Sequence, residues 1–193
     1  MKHIIIEGID QTGKSTLIKS LCEHFNYDNL TIRHFSKPPK NFKNPLEYQK
    51  ACFLNEKDLL NQLLKNESNG AYFENILIWN RSYLGEFVHG HLHRGYSKKE
   101  LKEEIINFEK YFMIDHQSHL ILLLADSEFC MAKEDGNSLS KNIIQKTLEI
   151  ELFKEIYNES LISNKKIIYV NQPNTILFKD KNKILLEVLN FIK

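Results

Sequence analysis

Arginine is scarce in this sequence. Of 26 basic residues only Arg33, Arg81 and Arg94 are arginines, so each asks for its own explanation, although an AT-rich genome would produce the same bias. Cysteine is scarce too. Cys22, Cys52 and Cys130 are odd in number, widely spaced and outside any metal-ligand pattern, which argues against a disulfide framework or zinc site and for a reducing cytosol. No stretch approaches the ~18 apolar residues of a membrane span. The opening run Ile4–Ile6 meets Glu7 at once and is too short for a signal peptide. Net charge is only +1, which gives no reason to expect nucleic acid or a membrane as partner. No repeat, low-complexity tract or Pro/Gly-rich linker divides the 193 residues, so one domain with at most a small mobile insertion is expected, in the cytoplasm.

What is there is an alternation of short β-branched runs with longer amphipathic stretches. Strands are predicted at His3–Ile6, Leu30–Phe35, Asn75–Trp79, Leu120–Ala125 and Lys166–Val170. Helices are predicted at Lys14–Phe25, from about Pro45 to Lys65, from Ser82 onward, at Leu101–Phe112, Lys141–Leu161 and Lys181–Phe191. Strands that are apolar throughout are buried on both faces. Interspersed with helices, they predict an α/β fold, a five-stranded parallel sheet between two helical layers. Ligands of such sheets sit at the carboxyl ends of the strands.

After the first strand comes Gly8-Ile9-Asp10-Gln11-Thr12-Gly13-Lys14-Ser15-Thr16, a complete G-x-x-x-x-G-K-[ST] match, the P-loop pattern. Gly8, Gln11, Thr12 and Gly13 would turn backbone N–H groups toward a nucleotide's phosphates, and the next helix adds its positive end. Lys14 would neutralise charge between the β- and γ-phosphates, Ser15 would offer its hydroxyl to Mg²⁺, and Thr16 would complete the ATP contacts. A carboxylate among phosphate-facing amides opposes the ligand. Asp10 therefore makes sense facing a second substrate's hydroxyl, although from spacing alone a surface Asp in a turn reads equally well. Arg81, just past the third strand, is placed to clamp the phosphates being joined; a cation at a helix start would otherwise oppose the dipole.

With Glu7 in front, the Gly8–Thr16 run resembles the opening of thymidylate kinases, and Asn80-Arg81-Ser82 stands where those enzymes carry Asp-Arg-Tyr and deoxynucleoside kinases Glu-Arg-Ser. The resemblance runs along nearly the whole chain. The stretch from Asn80 through Glu86 to His93-Arg94-Gly95 is most similar to small thymidylate-kinase-like proteins of bacteriophages, which would place the protein in a host's cytoplasm. The resemblance implies a P-loop NTPase kinase fold, an α/β/α sandwich with a short lid, here at about Lys133–Lys141. It implies ATP as donor, Mg²⁺ as cofactor, nucleotides as partners, and a homodimer as a possible assembly. It gives Lys14 and Ser15 the donor phosphates, Asp10 the acceptor's sugar hydroxyl and Arg81 the bridge between donor and acceptor phosphates. Gln49 and Glu86 fall where deoxynucleoside kinases read the base; an amide pairs both ways with a base edge, though a Gln on an amphipathic helix is more often solvated.

The departures from that pattern carry information. Asn80 replaces the acid that ends the third strand, and a neutral amide supports Mg²⁺ less well. The loop has Gln11 where an arginine could stand, and no arginine follows Arg94. The lid offers Lys133 and Lys141, which supply charge without a bidentate fork, or Arg94 takes that part. The end of the second strand, Arg33-His34-Phe35-Ser36-Lys37-Pro38-Pro39, has no acid to deprotonate a 5′-hydroxyl. It has Lys37 to meet an anion, which favours a monophosphate acceptor such as dTMP over a nucleoside. Phe35 could flank a stacked base, although aromatics at such spacing are more often core. His89, His91 and His93 alternate, yet on a helix they would splay apart, so no structural metal site is expected. Two other readings stay open: a nucleoside kinase, and a nucleotide-binding protein that has lost catalysis.

Overall fold

The computed structural model describes residues 2–25, 30–35, 45–68, 75–112 and 117–193. Five parallel strands, β1 (Lys2–Gly8), β2 (Leu30–His34), β3 (Ile76–Asn80), β4 (Ser118–Leu124) and β5 (Asn164–Tyr169), form one sheet in the order β2-β3-β1-β4-β5. The helices are α1 (Lys14–Phe25), α2 (Pro45–Ser68), α3 (Leu84–Arg94), α4 (Lys98–Phe112), α5 (Ser127–Ala132), α6 (Ile143–Glu159) and α7 (Lys181–Phe191). α1 and α7 pack together on one face, while α3 packs against α2, α4 and α6 on the other. Among the described residues no helix is long and apolar enough to cross a membrane.

The three central strands are apolar on both faces because both faces are covered. Ile4, Ile5, Ile6, Leu77, Ile78, Trp79, Leu120 and Ile121 are each 0 % exposed, and burying each such side chain stabilises the fold by roughly 1.5–3 kcal/mol. The outer strand β2 is half-buried to exposed. Element ends move where a cap decides them. The last long helix starts at Ile143 rather than Lys141 because Asn142 turns extended and accepts from Gln145 N at 2.9 Å, the usual N-cap arrangement. α3 stops at Gly95, which takes the left-handed conformation (φ 72°) and donates to Gly90 O, a C-cap that glycine makes without strain. The six-residue α5 was not predicted from sequence; it is too short to show a helical period.

β1 lies in the middle, and the chain leaves it toward β2 on one side and later reaches β4 on the other. Its carboxyl end is thus the point where strand order reverses, the place a ligand crevice forms. Gly8 closes β1 there with φ 142°, and a Cβ on it would lie 2.1 Å from Leu123 O of β4. Neither contact nor dihedral tolerates a side chain. Gly8→Ala is therefore expected to lower stability by about 3 kcal/mol or more, read as a fall in the urea midpoint at unchanged slope.

Candidate active site

The loop after β1 wraps around its own lysine. Lys14 Nζ, in a residue only 7 % exposed, donates to Gly8 O and Ile9 O at 2.7 Å each. Thr12 Oγ1 donates to Ile9 O at 2.8 Å. Gly13 and Gln11 both sit at positive φ, 78° and 68°, which bends the segment back before α1 begins. The result is a cavity of about 370 Å³ lined by the whole run Asp10–Thr16 together with Arg81, Asp135, Asn137 and Ser138. Ser15 and Thr16 open α1 on its rim, so helix dipole, loop amides and ammonium converge on one anion-sized space.

A second cavity of about 210 Å³ adjoins it, lined by residues that include Gly8, His34, Phe35, Glu86, His89 and Arg94. Asp10, Arg81 and Asn137 belong to both cavities. Arg81 Nη2 donates to Asp10 Oδ1 at 2.7 Å, so the acid turns away from the loop amides toward the guanidinium. Arg81 holds φ 71°, uncommon for a residue with a side chain, and its N–H is tied to Ile6 O at 2.9 Å. Beneath this junction lies Glu7, 2 % exposed. Its carboxylate accepts from Gly8 N, Ser82 N and Ser82 Oγ at 3.0, 2.6 and 2.9 Å. Burial raises its pKa, and Lys14 and these hydrogen bonds oppose the rise. One buried carboxylate thus ties the loop after β1 to the start of α3 and fixes where Arg81 stands.

The wall of the second cavity is polar at several points. Glu86 and Arg94 form an ion pair on α3. Arg94 therefore serves this cavity, not the α5–α6 loop. His89 is kept neutral, its pKa pushed down to about 3 chiefly by burial, and its Nδ1 has no hydrogen-bond partner among the described residues. It stacks on His93 at 6.0 Å, one helical turn away, where the sequence weighed these histidines only as metal ligands. Phe35 stands edge-on to Trp79 at 5.3 Å. Asn80 Nδ2 donates to His34 Nδ1 at 2.8 Å across paired strand ends. That bond uses the amide nitrogen; Asn80 Oδ1 is buried and has no hydrogen-bond partner among the described residues. Burial, Arg81 and Lys14, in that order, lower the His34 pKa, so its ring is neutral at pH 7.

Two predicted donor contacts lie elsewhere. Lys133 Nζ is drawn over the rings of Phe129 and Phe178, 5.9 Å from each centroid, and Lys141 Nζ donates to Gly136 O within its own loop. Neither lines the loop cavity. Lys37 lies outside the described residues, as does the side chain of Gln49. Glu7, His34, His89, Asp135 and Asn137 were not predicted as site residues; only Glu7, adjoining the motif, had a local signal. For a metal, the Ser15 hydroxyl and the Asp10 and Asp135 carboxylates share the loop cavity, a hard-oxygen set that suits Mg²⁺ beside phosphate oxygens. A third, apolar cavity of about 140 Å³ lies between α1 and Phe178, reached from Gly13 and Thr16.

Lys14 gives the site a pH dependence. Burial, then the nearby Arg81 charge, bring its pKa down to about 8, against the pull of Asp10 and Glu7. A phosphate ligand needs the charged form, so affinity is full below pH 8 and weakens as pH rises through it. Well above pH 8 the dissociation constant of ATP–Mg²⁺ should rise close to tenfold per pH unit. Calorimetric titrations between pH 7 and 9.5 read this slope, which should vanish in Lys14→Met.

No protein-family profile and no curated protein sequence matches this chain. Its structure does have counterparts. It is similar to YorR protein from Bacillus subtilis, solved in complex with phosphorylated GDP, with a TM-score of 0.62 at 15 % identity, covering 100 % of this chain and 95 % of that one. Deoxyadenosine kinase from M. mycoides, with products dCMP and dCDP, gives 0.57 at 16 % identity over 98 % and 99 % of the two chains. Thymidylate kinase from Ehrlichia chaffeensis gives 0.54 at 14 % identity over 100 % and 99 %. The parallel five-stranded sheet with flanking helices is the P-loop NTPase kinase fold.

Proposed function

We propose that this protein is a kinase that moves the γ-phosphoryl group of ATP–Mg²⁺ to a (deoxy)nucleoside monophosphate, dTMP first among them. The observation that carries the reading is the Asp10–Arg81 pair, a shared wall of two adjoining cavities. One cavity has the donor features, loop amides, Lys14 and Ser15. The other takes the acceptor, with an aromatic wall at Phe35 and the hydrogen-bonding groups Glu86, Arg94 and His89 for a base. Phosphoryl transfer asks the protein for positioning and charge more than for covalent chemistry. Arg81 stabilises charge between the two phosphates, Lys14 takes the donor oxygens, and Asp10 orients Arg81 and is available to the acceptor's sugar hydroxyl. Mg²⁺, held at Ser15 with carboxylate support, would supply further charge neutralisation. The loop at about 133–141 serves as the lid, since Asp135, Asn137 and Ser138 already face the donor cavity. dTMP is put first by the sequence resemblance alone.

The test is ATP–Mg²⁺ with a panel of deoxynucleoside monophosphates and free deoxynucleosides, followed by nucleotide chromatography. The expected result is dTDP from dTMP at the highest kcat/KM. No diphosphate from any monophosphate, alongside conversion of a free deoxynucleoside, sinks the reading. His34, at the end of β2, would serve that second outcome only by releasing Asn80, since the one accepting nitrogen of its neutral ring, Nδ1, already takes the amide's hydrogen bond. Under it, kcat/KM would fall on the acid side and His34→Asn would remove that limb.

A further inference from the structure

Lys146 is a buried cation that the site as described does not use. It lies in the first turn of α6, 0 % exposed, where the helix dipole disfavours positive charge. Its Nζ stands 3.1 Å from Glu134 Oε2, yet neither atom completes a well-formed hydrogen bond. A buried lysine whose nearest carboxylate is ill-aligned is costly, and such cost is ordinarily avoided unless the charge is needed. The other oxygen of Glu134, Oε1, accepts from Gly136 N at 2.9 Å and Ser138 N at 3.3 Å. Ser138, with Asp135 and Asn137, lines the donor cavity. Glu134 thus stands between Lys146 and the donor site, one carboxylate oxygen toward each. One turn further along α6, Glu149 interacts electrostatically with Lys146, Asp10 and Lys14, so this group lies within charge range of the phosphate loop. Lys133 and Lys141, the two lysines of the loop itself, are engaged elsewhere.

We propose that the Lys146–Glu134 pair is a latch, and that donor phosphates draw Lys146 off Glu134 so that the α5–α6 loop closes with a lysine, not an arginine, on the γ-phosphate side. This rests on the donor-site reading above. A triphosphate competes well for the ammonium, because it offers more charge than one carboxylate and aligned oxygens besides. Glu134 then keeps its two backbone N–H groups and holds the loop's shape.

Four proteins test it: wild type, Lys146→Met, Glu134→Gln and the double variant, each measured for melting temperature and for binding of β,γ-imido-ATP with Mg²⁺ by calorimetry. Lys146→Met leaves Glu134 without its cation and should melt several degrees lower; the double variant should regain most of that loss. Imido-ATP should bind at least tenfold more weakly to both Lys146→Met and the double variant, and at least as tightly to Glu134→Gln as to wild type. A Lys146→Arg variant should restore binding. A double variant that binds imido-ATP like wild type would overturn the latch, showing that Lys146 only neutralises Glu134. Wild type that does not bind imido-ATP at all would instead overturn the donor-site reading, and the latch with it.

Discussion

Replacing Arg81 by Ala should reduce kcat by about 10³-fold while KM for donor and acceptor each change far less, since charge-stabilising arginines of phosphoryl transfer are worth that much. The reason is placement. Arg81 lines both cavities, so under the proposed function it is the group whose interaction grows as the phosphoryl group leaves one for the other, and a contact that strengthens in the transition state acts on kcat. Its side chain is 36 % exposed and its loss leaves no buried charge, because Asp10 is reachable by water. The variant should fold normally. Arg81→Lys should recover only part of the rate, because an ammonium gives charge without the planar fork that meets two phosphates at once. Steady-state kinetics with each substrate varied in turn decide it. Equal losses in kcat and in both affinities would show general damage to the site.

Lys14→Met should be at least as severe in kcat/KM for ATP, about 10³-fold, and it should do so through a different quantity. Under the proposed function Lys14 serves the donor alone: its Nζ lies at the centre of the Gly8–Ser15 loop, and it does not line the second cavity. Donor affinity should therefore collapse while acceptor binding measured by itself stays close to wild type. Methionine has nearly the length of the buried stem and spares the desolvation that pulls the lysine pKa down. Melting temperature should remain within a few degrees of wild type. A protein that unfolds would mean that the two carbonyl contacts of Lys14 are its main contribution. A folded variant with intact ATP affinity would remove the donor site from the loop.

The parts of this arrangement that were legible in the sequence are those whose chemistry is local. The Gly8–Ser15 run carries its own turn, charge and helix start, so it could be read without any tertiary contact. Arg81 could be placed because it ends an apolar strand, and the ends of parallel strands share one edge. What the sequence did not show depends on neighbours distant in the chain. His34 reaches the second cavity because β2 pairs with β3 in the register that sets it beside Asn80, and nothing local to residue 34 encodes that register. Lys133 was assigned to the donor because it lies in the loop, but two aromatic rings 49 positions apart in the chain, Phe129 and Phe178, hold it elsewhere. Nothing local sets Lys146 apart from the rest of its helix; its burial follows from the packing of α6 against α5 and α3. Asp10 had two equal readings from spacing, and its 2.7 Å bond to Arg81 is a contact that spacing does not encode.

On the proposed function, the two cavities meeting at Asp10 and Arg81 hold the donor and the acceptor of one transfer. A dinucleotide in which adenosine and thymidine are joined through five phosphates spans both at once, and its binding can be measured by calorimetry without turnover. It should bind one molecule per chain at least 100-fold more tightly than ATP, displace both ATP and dTMP, and lose that advantage in Arg81→Ala. Affinity no greater than that of ATP alone, with dTMP still free to bind, would contradict it.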